Sequence, residues 1–333
     1  MTESDEDDNE NEWHIEYFED WLEFYQSVKE RSVSTRKSEI RQFDEWAKEN
    51  DVNTIEEVDY RTIKRFITEQ KNQDFAPKTV AGRFQAIKNV VEEANRDGVI
   101  DEHPIPRDFD LQDDWGIDES KTLREQYLEE KGLSEGVSEE EFEQLRKNVT
   151  PPKTRNQCIL DLLWTTGVRA SELVEVRLDD IDFDNRLMTV PDKKKRDPNA
   201  TRTVHYGRLC DQSLSAWLTD RKKYQCLKDA DEDWLFCSRK TAPLYPERVT
   251  DAVQDAADNA DIQQPLGNDA RGREIQYINA HSLRHGHGTY AADKVGIHRV
   301  QKQLGHASVE MTESTYVNPD DDEDDENPYK DMY

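Results

Sequence analysis

The chain has 333 residues, 34% of them hydrophobic and 36% charged, with 74 acidic against 45 basic side chains and a formal net charge of −29. That length accommodates two domains with separate cores. Cys158, Cys210, Cys226 and Cys237 show no C-x-x-C spacing, so neither a zinc ribbon nor a disulfide framework is indicated. No apolar run approaches the ~18 residues of a membrane span and no signal peptide is apparent, so a cytoplasmic protein is expected.

The acid is not confined to the ends. Residues 1–12 hold seven acids and no base, and residues 320–333 hold eight acids with Lys330 alone opposing them, yet the remaining body still carries a net charge of −15. A generally acidic, nucleic-acid-avoiding protein is one reading. Adaptation to molar salt is the favoured one, because the Debye length there is about 3 Å and distant charges barely interact.

Residues 1–12 are polar and acidic and should be disordered. From Trp13 onward Phe18, Trp21, Leu22, Tyr25 and Val28 recur at helical spacing. A second helix follows Ser34 or Thr35 and buries Ile40, Phe43 and Ala47. A third, capped by Asp59, buries Ile63, Phe66 and Ile67. After Pro77 the stripe Val80, Phe84, Ile87, Val91 marks a fourth helix, stopped by Asp97-Gly98. These elements define a helical domain over 13–106. Its basic residues gather around the second helix (Arg36, Lys37) and on the fourth (Lys78, Arg83, Lys88). They form either a solvated face or a surface that holds DNA backbone phosphates.

Residues 107–132 read as a linker with at most one polar helix. A capping box, Ser138 to Glu141, opens the second domain, 133–318. Thr154 starts a helix whose run from Cys158 to Trp164 is apolar nearly all round, ending at Thr165-Thr166-Gly167. Arg169 follows directly, with Glu172 three residues on as its natural anchor. The period then shifts towards two: Leu187–Val190 and Thr201–Tyr206 form a hairpin whose tip carries Lys193, Lys194, Lys195 and Arg196. A helix near Asp211–Lys223, a short strand at Trp234–Cys237, a helix at Pro246–Asn259 and a polar loop at Gly267–Glu274 complete the approach. The segment 319–333 is an acidic tail, whose seven consecutive acids from Asp320 to Glu326 include no core-forming residues.

Between Ala280 and Asn318 stand His281, Arg284, His306 and Tyr316, on helical pattern with short breaks. His281 and Arg284, three apart, share a helix face. Arginine grips two phosphate oxygens as a fork, imidazoles donate hydrogen bonds or move protons, and a phenol can attack phosphorus. Arg169 supplies a second cation, and a hairpin lysine can protonate a leaving oxygen.

In this order, TTGVRASEL, the lysine hairpin, HSLRH and LGHASVEMTESTY resemble the tyrosine recombinase or phage integrase family, nearest to its Xer-type and archaeal members, over residues ~16–318. The resemblance implies a mainly α fold: an N-terminal helical, SAM-like core-binding domain and a C-terminal α-rich catalytic domain with a small β-hairpin or sheet. It implies a C-shaped clamp around duplex DNA bearing a specific target site, working as a homotetramer or dimer of dimers. Arg169, Arg284 and His306 would hold the scissile phosphate, and Tyr316 would form a 3′-phosphotyrosyl bond. Lys193 aligns best as general acid, with Lys194 and Lys195 as DNA contacts, and His281 would assist. No metal, nucleotide or other cofactor is required, because the phosphotyrosine conserves the bond energy for religation. A type IB topoisomerase and a non-catalytic DNA-binding relative are the competing readings. Metal hydrolysis by His281, His285, His287 and His306 is set aside, because the H-x-x-x-H-x-H spacing has no accompanying acid in the usual places and Arg284 sits between the first two.

Overall fold

The computed structural model describes residues 13–28, 33–73, 75–192, 197, 199–224, 233–305 and 329. The acidic stretch 1–12, the lysine-bearing hairpin tip and the segment from His306 to Pro328 lie outside them. The described residues are mainly helical, as the sequence pattern implies, and divide into two units. One comprises residues up to 127 together with 267–275, and the other 128–266 with 276 onward. No helix among the described residues is long and apolar enough to cross a membrane.

The first unit is built on α1 (Tyr17–Val28), α2 (Val33–Glu49), α3 (Tyr60–Asn72) and α4 (Pro77–Arg96). Proline suits the first turn of α4, where its missing amide would have no helical partner, and Val80, Phe84, Ile87 and Val91 all face the core. Asp59 starts α3 by accepting the Thr62 amide at 2.8 Å, which satisfies one of the helix's orphan donors. Phe43 is fully buried at the centre, edge-on to Phe18 at 6.0 Å and to Phe66 at 5.1 Å. Beside it Asp44 is a buried acid with a purpose: it accepts the backbone amides of His14 and Ile15 at 3.0 and 2.9 Å. Removing that carboxylate would strand two amide donors.

Residues 107–132 differ from expectation. They hold two short helices, α5 (Leu111–Trp115) and α6 (Leu123–Lys131). Asp110 caps α5 through the amides of Gln112 and Asp113, and Gly116 closes it in the left-handed region at φ 63°. Trp115 pins it against Tyr60, Phe84 and Phe109. A helix of one turn shows no periodicity, so only its caps could have announced it.

The second unit contains α7 (Glu139–Lys147), α8 (Lys153–Thr166), α9 (Ala170–Leu173), α10 (Leu209–Arg221), α11 (Pro246–Asn259), α12 (Ala280–Val295) and α13 (Ile297–Leu304). The capping box at Ser138 and Glu141 opens α7 as expected. Helix α8 is the axis: Cys158, Ile159, Leu160, Leu162, Leu163 and Trp164 are all buried, beneath α7, α10, α11 and α12. Each such aliphatic side chain contributes roughly 1.5–3 kcal/mol by leaving water.

Strands β1 (Ile181–Asp182), β2 (Leu187–Pro191) and β3 (Thr201–His205) form one antiparallel sheet. Its register pairs Met188 with Val204 and Val190 with Arg202. Because strand side chains alternate, Arg202 shares the inward face of β3 with buried Val204. The strand expected at Trp234–Cys237 is reduced to a single bridge between Arg177 and Trp234. The expected polar loop at Gly267–Glu274 is instead the turn of a hairpin, β4 (Pro265–Asn268) and β5 (Glu274–Gln276). Only Leu266 of these strands is fully buried, so no clean alternation marked them.

One residue of the C-terminal segment joins the core. Tyr329 is buried against Ala291, Val300 and Leu304, and its ring lies nearly parallel to those of His205 and His287, each 5.9 Å away. A lone aromatic among acids carries no periodic signal, yet it completes a hydrophobic cluster.

Candidate active site

Helix α8 ends where Gly167 takes the left-handed conformation, φ 65°. A side chain there would also collide: a Cβ would lie 2.5 Å from Leu304 and 2.6 Å from the His287 ring. This turn delivers Arg169 to the start of α9, half-buried. Glu172, three residues on and fully buried, accepts both the Arg169 backbone amide at 2.9 Å and its guanidinium Nη1 at 2.7 Å. The anchor expected at i+3 is therefore in place.

Arg284 enters the same region from α12. It is buried, and its two terminal nitrogens donate to the carbonyls of Gly167 at 2.6 Å and Leu304 at 2.8 Å. Burial, then the charge of Arg169, then that of Arg202, pull its affinity for the proton down to about 9, with Glu172 opposing. His281 stands on the first turn of the same helix but is exposed, and its ring meets His285 edge-on at 4.5 Å. His285 in turn faces Glu135, with Nδ1 to Oε2 at 3.3 Å. His287 is fully buried against the Trp164 carbonyl, 2.8 Å from Nδ1, and burial lowers its pKa to about 4.

A third arginine completes the cluster. Arg202 clasps Glu172 with both terminal nitrogens, at 3.1 and 2.8 Å. Its Nε donates to the Gln303 carbonyl at 3.2 Å, and Nη1 also reaches the Pro191 carbonyl at 3.2 Å. Burial raises the Glu172 pKa, but the hydrogen bonds from Arg202, the Arg169 amide and both guanidinium charges outweigh it and hold the group below the usual carboxylate range. Arg202 goes unremarked in the sequence because TRTVH has no motif. The available signal was an arginine placed two residues from Val204 on the inward side of a strand.

Arg169 and Arg202 therefore share one ionised carboxylate while Arg284 lies within reach of their charges, an excess of two positive charges in a largely buried setting. Such a cluster is stabilised by a further anion, and guanidinium forks match the geometry of phosphate oxygens. Lys193, Lys194, Lys195, His306 and Tyr316 lie outside the described residues.

The basic residues of the first unit occupy varied settings. Lys37 and Lys78 are exposed and Lys88 is half-buried. Arg36 pairs with Glu39 at 2.6 Å and donates to the Gly82 carbonyl at 3.3 Å. Arg83 is buried, its guanidinium 4.0 Å from the Phe75 ring centroid.

Two family models match the chain. One is described as the phage integrase SAM-like domain, over residues 14–111, and the other as the phage integrase family, over residues 135–323. The chain is 25% identical over 305 residues to tyrosine recombinase XerC of Lacticaseibacillus casei strain BL23, covering 90% of this chain and 92% of that protein. It is 31% identical over 179 residues to tyrosine recombinase XerC of Bifidobacterium longum strain DJO10A, covering 50% of this chain and 44% of that protein. Among solved structures, the Tn1549 transposon integrase in complex with a circular intermediate DNA superposes with TM-score 0.68 at 16% identity, over 91% of this chain and 94% of that one. The XerH recombinase bound to its difH substrate gives TM-score 0.62 at 17% identity, over 88% and 79%.

Proposed function

The chain belongs to the phage integrase family, a tyrosine recombinase that cleaves and rejoins DNA through a phosphotyrosine intermediate, and on that premise we propose how its side chains divide the work. Arg169 and Arg284 hold the non-bridging oxygens of the scissile phosphate, with His306 as the third donor. Tyr316 attacks phosphorus, the 5′-oxygen leaves, and Lys193 protonates it. His281 assists proton movement from the rim.

The observation that carries this reading is the excess of cationic charge around Glu172. A phosphodiester brings one negative charge, and the pentavalent transition state brings two. Donors fixed in advance at such a centre stabilise the transition state without reorganising. That matters because a free phenol of pKa ~10 is only about 0.1% ionised near pH 7. For Tyr316 the support is family membership and its place ten residues beyond His306.

The partner in this reading is duplex DNA with a specific target site, met in the cytoplasm by a tetramer assembled as a dimer of dimers. Solved relatives described as DNA complexes, one of them a lambda integrase dimer on a core site, support the DNA partner. Lys37, Lys78, Lys88, Lys194 and Lys195 supply backbone contacts, with Arg36 and Arg83 shaping the surface behind them. The net charge of −29 adds a working environment of high salt.

The test is a nicked suicide duplex bearing the protein's own site, scored for a detergent-resistant protein–DNA adduct. Wild type forms it and Tyr316→Phe does not. An adduct that persists in Tyr316→Phe overturns the assignment, and relaxation of plasmids lacking the site would indicate a topoisomerase instead.

A further inference from the structure

Arg169 and Arg284 come from helices far apart in sequence, and one residue touches the supports of both. Among the described residues, the Arg169 guanidinium is held through Glu172, and Arg202 clasps that same carboxylate. Arg284 is held in part by the Leu304 carbonyl at the end of α13, and Arg202 donates to the adjacent Gln303 carbonyl. The end of a helix presents carbonyls without helical partners, where cations bind favourably. Gly305 closes that end at φ 66°, and a Cβ there would press on Arg202, 3.1 Å from its Cδ and Nε. The Gln303 side chain locks the arrangement to β3, accepting the His205 amide at 3.0 Å and donating to its carbonyl at 2.7 Å.

We propose that Arg202 is a positioning residue that braces the two phosphate-binding arginines, fixing Arg169 through Glu172 and Arg284 through the last turn of α13. This rests on the phosphate-binding role given above to Arg169 and Arg284. The balance of charge explains why an arginine stands there. Without Arg202, Glu172 would face Arg169 alone, draw its guanidinium inward, and neutralise the charge meant for the phosphate. The α13 end would lose its cation at Gln303 while Arg284 still pulled on Leu304. Misplacing a catalytic group by about 1 Å typically costs on the order of 100-fold in rate.

The experiment is single-turnover cleavage of the suicide duplex at saturating DNA, with site affinity and folded fraction measured on the same full-length preparations. Arg202→Met is expected to lose about 10- to 100-fold in cleavage with less than about 3-fold change in affinity. Adding Glu172→Gln should cost less than the sum of the two single losses, because it removes the carboxylate left unbalanced. Arg202→Lys, which keeps the charge, should remain folded yet lose about 3- to 10-fold, since one amine cannot reach both Glu172 and the Gln303 carbonyl. Cleavage by Arg202→Lys and Arg202→Met within about 3-fold of wild type, strictly additive losses in the double variant, or a loss accounted for by folded fraction alone would each overturn the proposal. Arg169→Ala separates the two levels. If it too cleaves normally, the phosphate-binding reading has failed. If it is inactive while Arg202→Met is normal, only the brace has failed.

Discussion

Arg284 donates to the carbonyl of Gly167 at 2.6 Å across 117 residues of chain. This bond joins the α8–α9 turn, which positions Arg169, to the helix that carries the second cation. A guanidinium can do this while also reaching Leu304, because its nitrogens diverge in one rigid plane.

Arg284→Lys is accordingly expected to be a poor substitute. A single ammonium cannot span both carbonyls and still present a fork to phosphate. Losing one transition-state donor costs about 10²–10³ in rate, and a reduction of that size in single-turnover cleavage is the expected result. A rate within a few-fold of wild type would dismiss the role given to Arg284.

Tyr329 separates packing from chemistry among the tyrosines. Its burial raises the phenol pKa well above the ordinary value, so it should not serve as a nucleophile. Tyr329→Phe should form the covalent adduct at the normal rate. Tyr329→Ala should lower stability by roughly 3 kcal/mol, the scale for emptying an aromatic site, as read by chemical denaturation.

His287 sets an acid limit on folding. Its pKa is about 4 when folded against 6.5 ordinarily, so below pH 6.5 the unfolded chain takes up a proton that the folded chain refuses. Stability is therefore unaffected above about pH 6.5, falls as pH drops, and levels off for this group below about pH 4. Burial lowers the His205 pKa too, which adds loss of the same sign. Melting temperatures from pH 8 to pH 4 should show this decline, and His287→Gln should flatten it. An equal decline in the variant would assign the effect elsewhere.

Salt provides a fourth test. Contacts to phosphate ordinarily weaken as salt rises, because binding releases counterions. Here the net charge of −29 adds a repulsion that salt removes. Site affinity and cleavage should stay flat or rise from ~0.1 to ~3 M KCl, as the Debye length falls from ~10 Å to below ~3 Å. Deleting residues 1–12 should shift the optimum lower. The C-terminal tail is unsuitable for such a truncation because Tyr329 is part of the core. A steep loss of both above ~0.2 M by well-folded protein would exclude salt adaptation.

What could be read from the sequence was what is local. The Asp59 cap, the Ser138–Glu141 box, the stripe on α4 and the Arg169–Glu172 pair all lie within a few residues of each other, and all appear in the structure. Arg202 could not be read this way. Its role depends on the pairing of Val190 with Arg202 and on the end of α13, some hundred residues later. Tyr329 was hidden for a different reason: it is an isolated aromatic in an acidic stretch, and its partners Ala291, Val300 and Leu304 come from two helices earlier in the chain.

The grip of Arg284 on the Leu304 carbonyl has a mechanical meaning. Arg284 spans that carbonyl and the Gly167 carbonyl, so it ties the end of α13 to the turn that aims Arg169. The two helix ends therefore cannot drift apart without breaking a bond from one rigid guanidinium. A strain at either end is felt at the other, and the guanidinium serves as a tie rod between two distant stretches of chain.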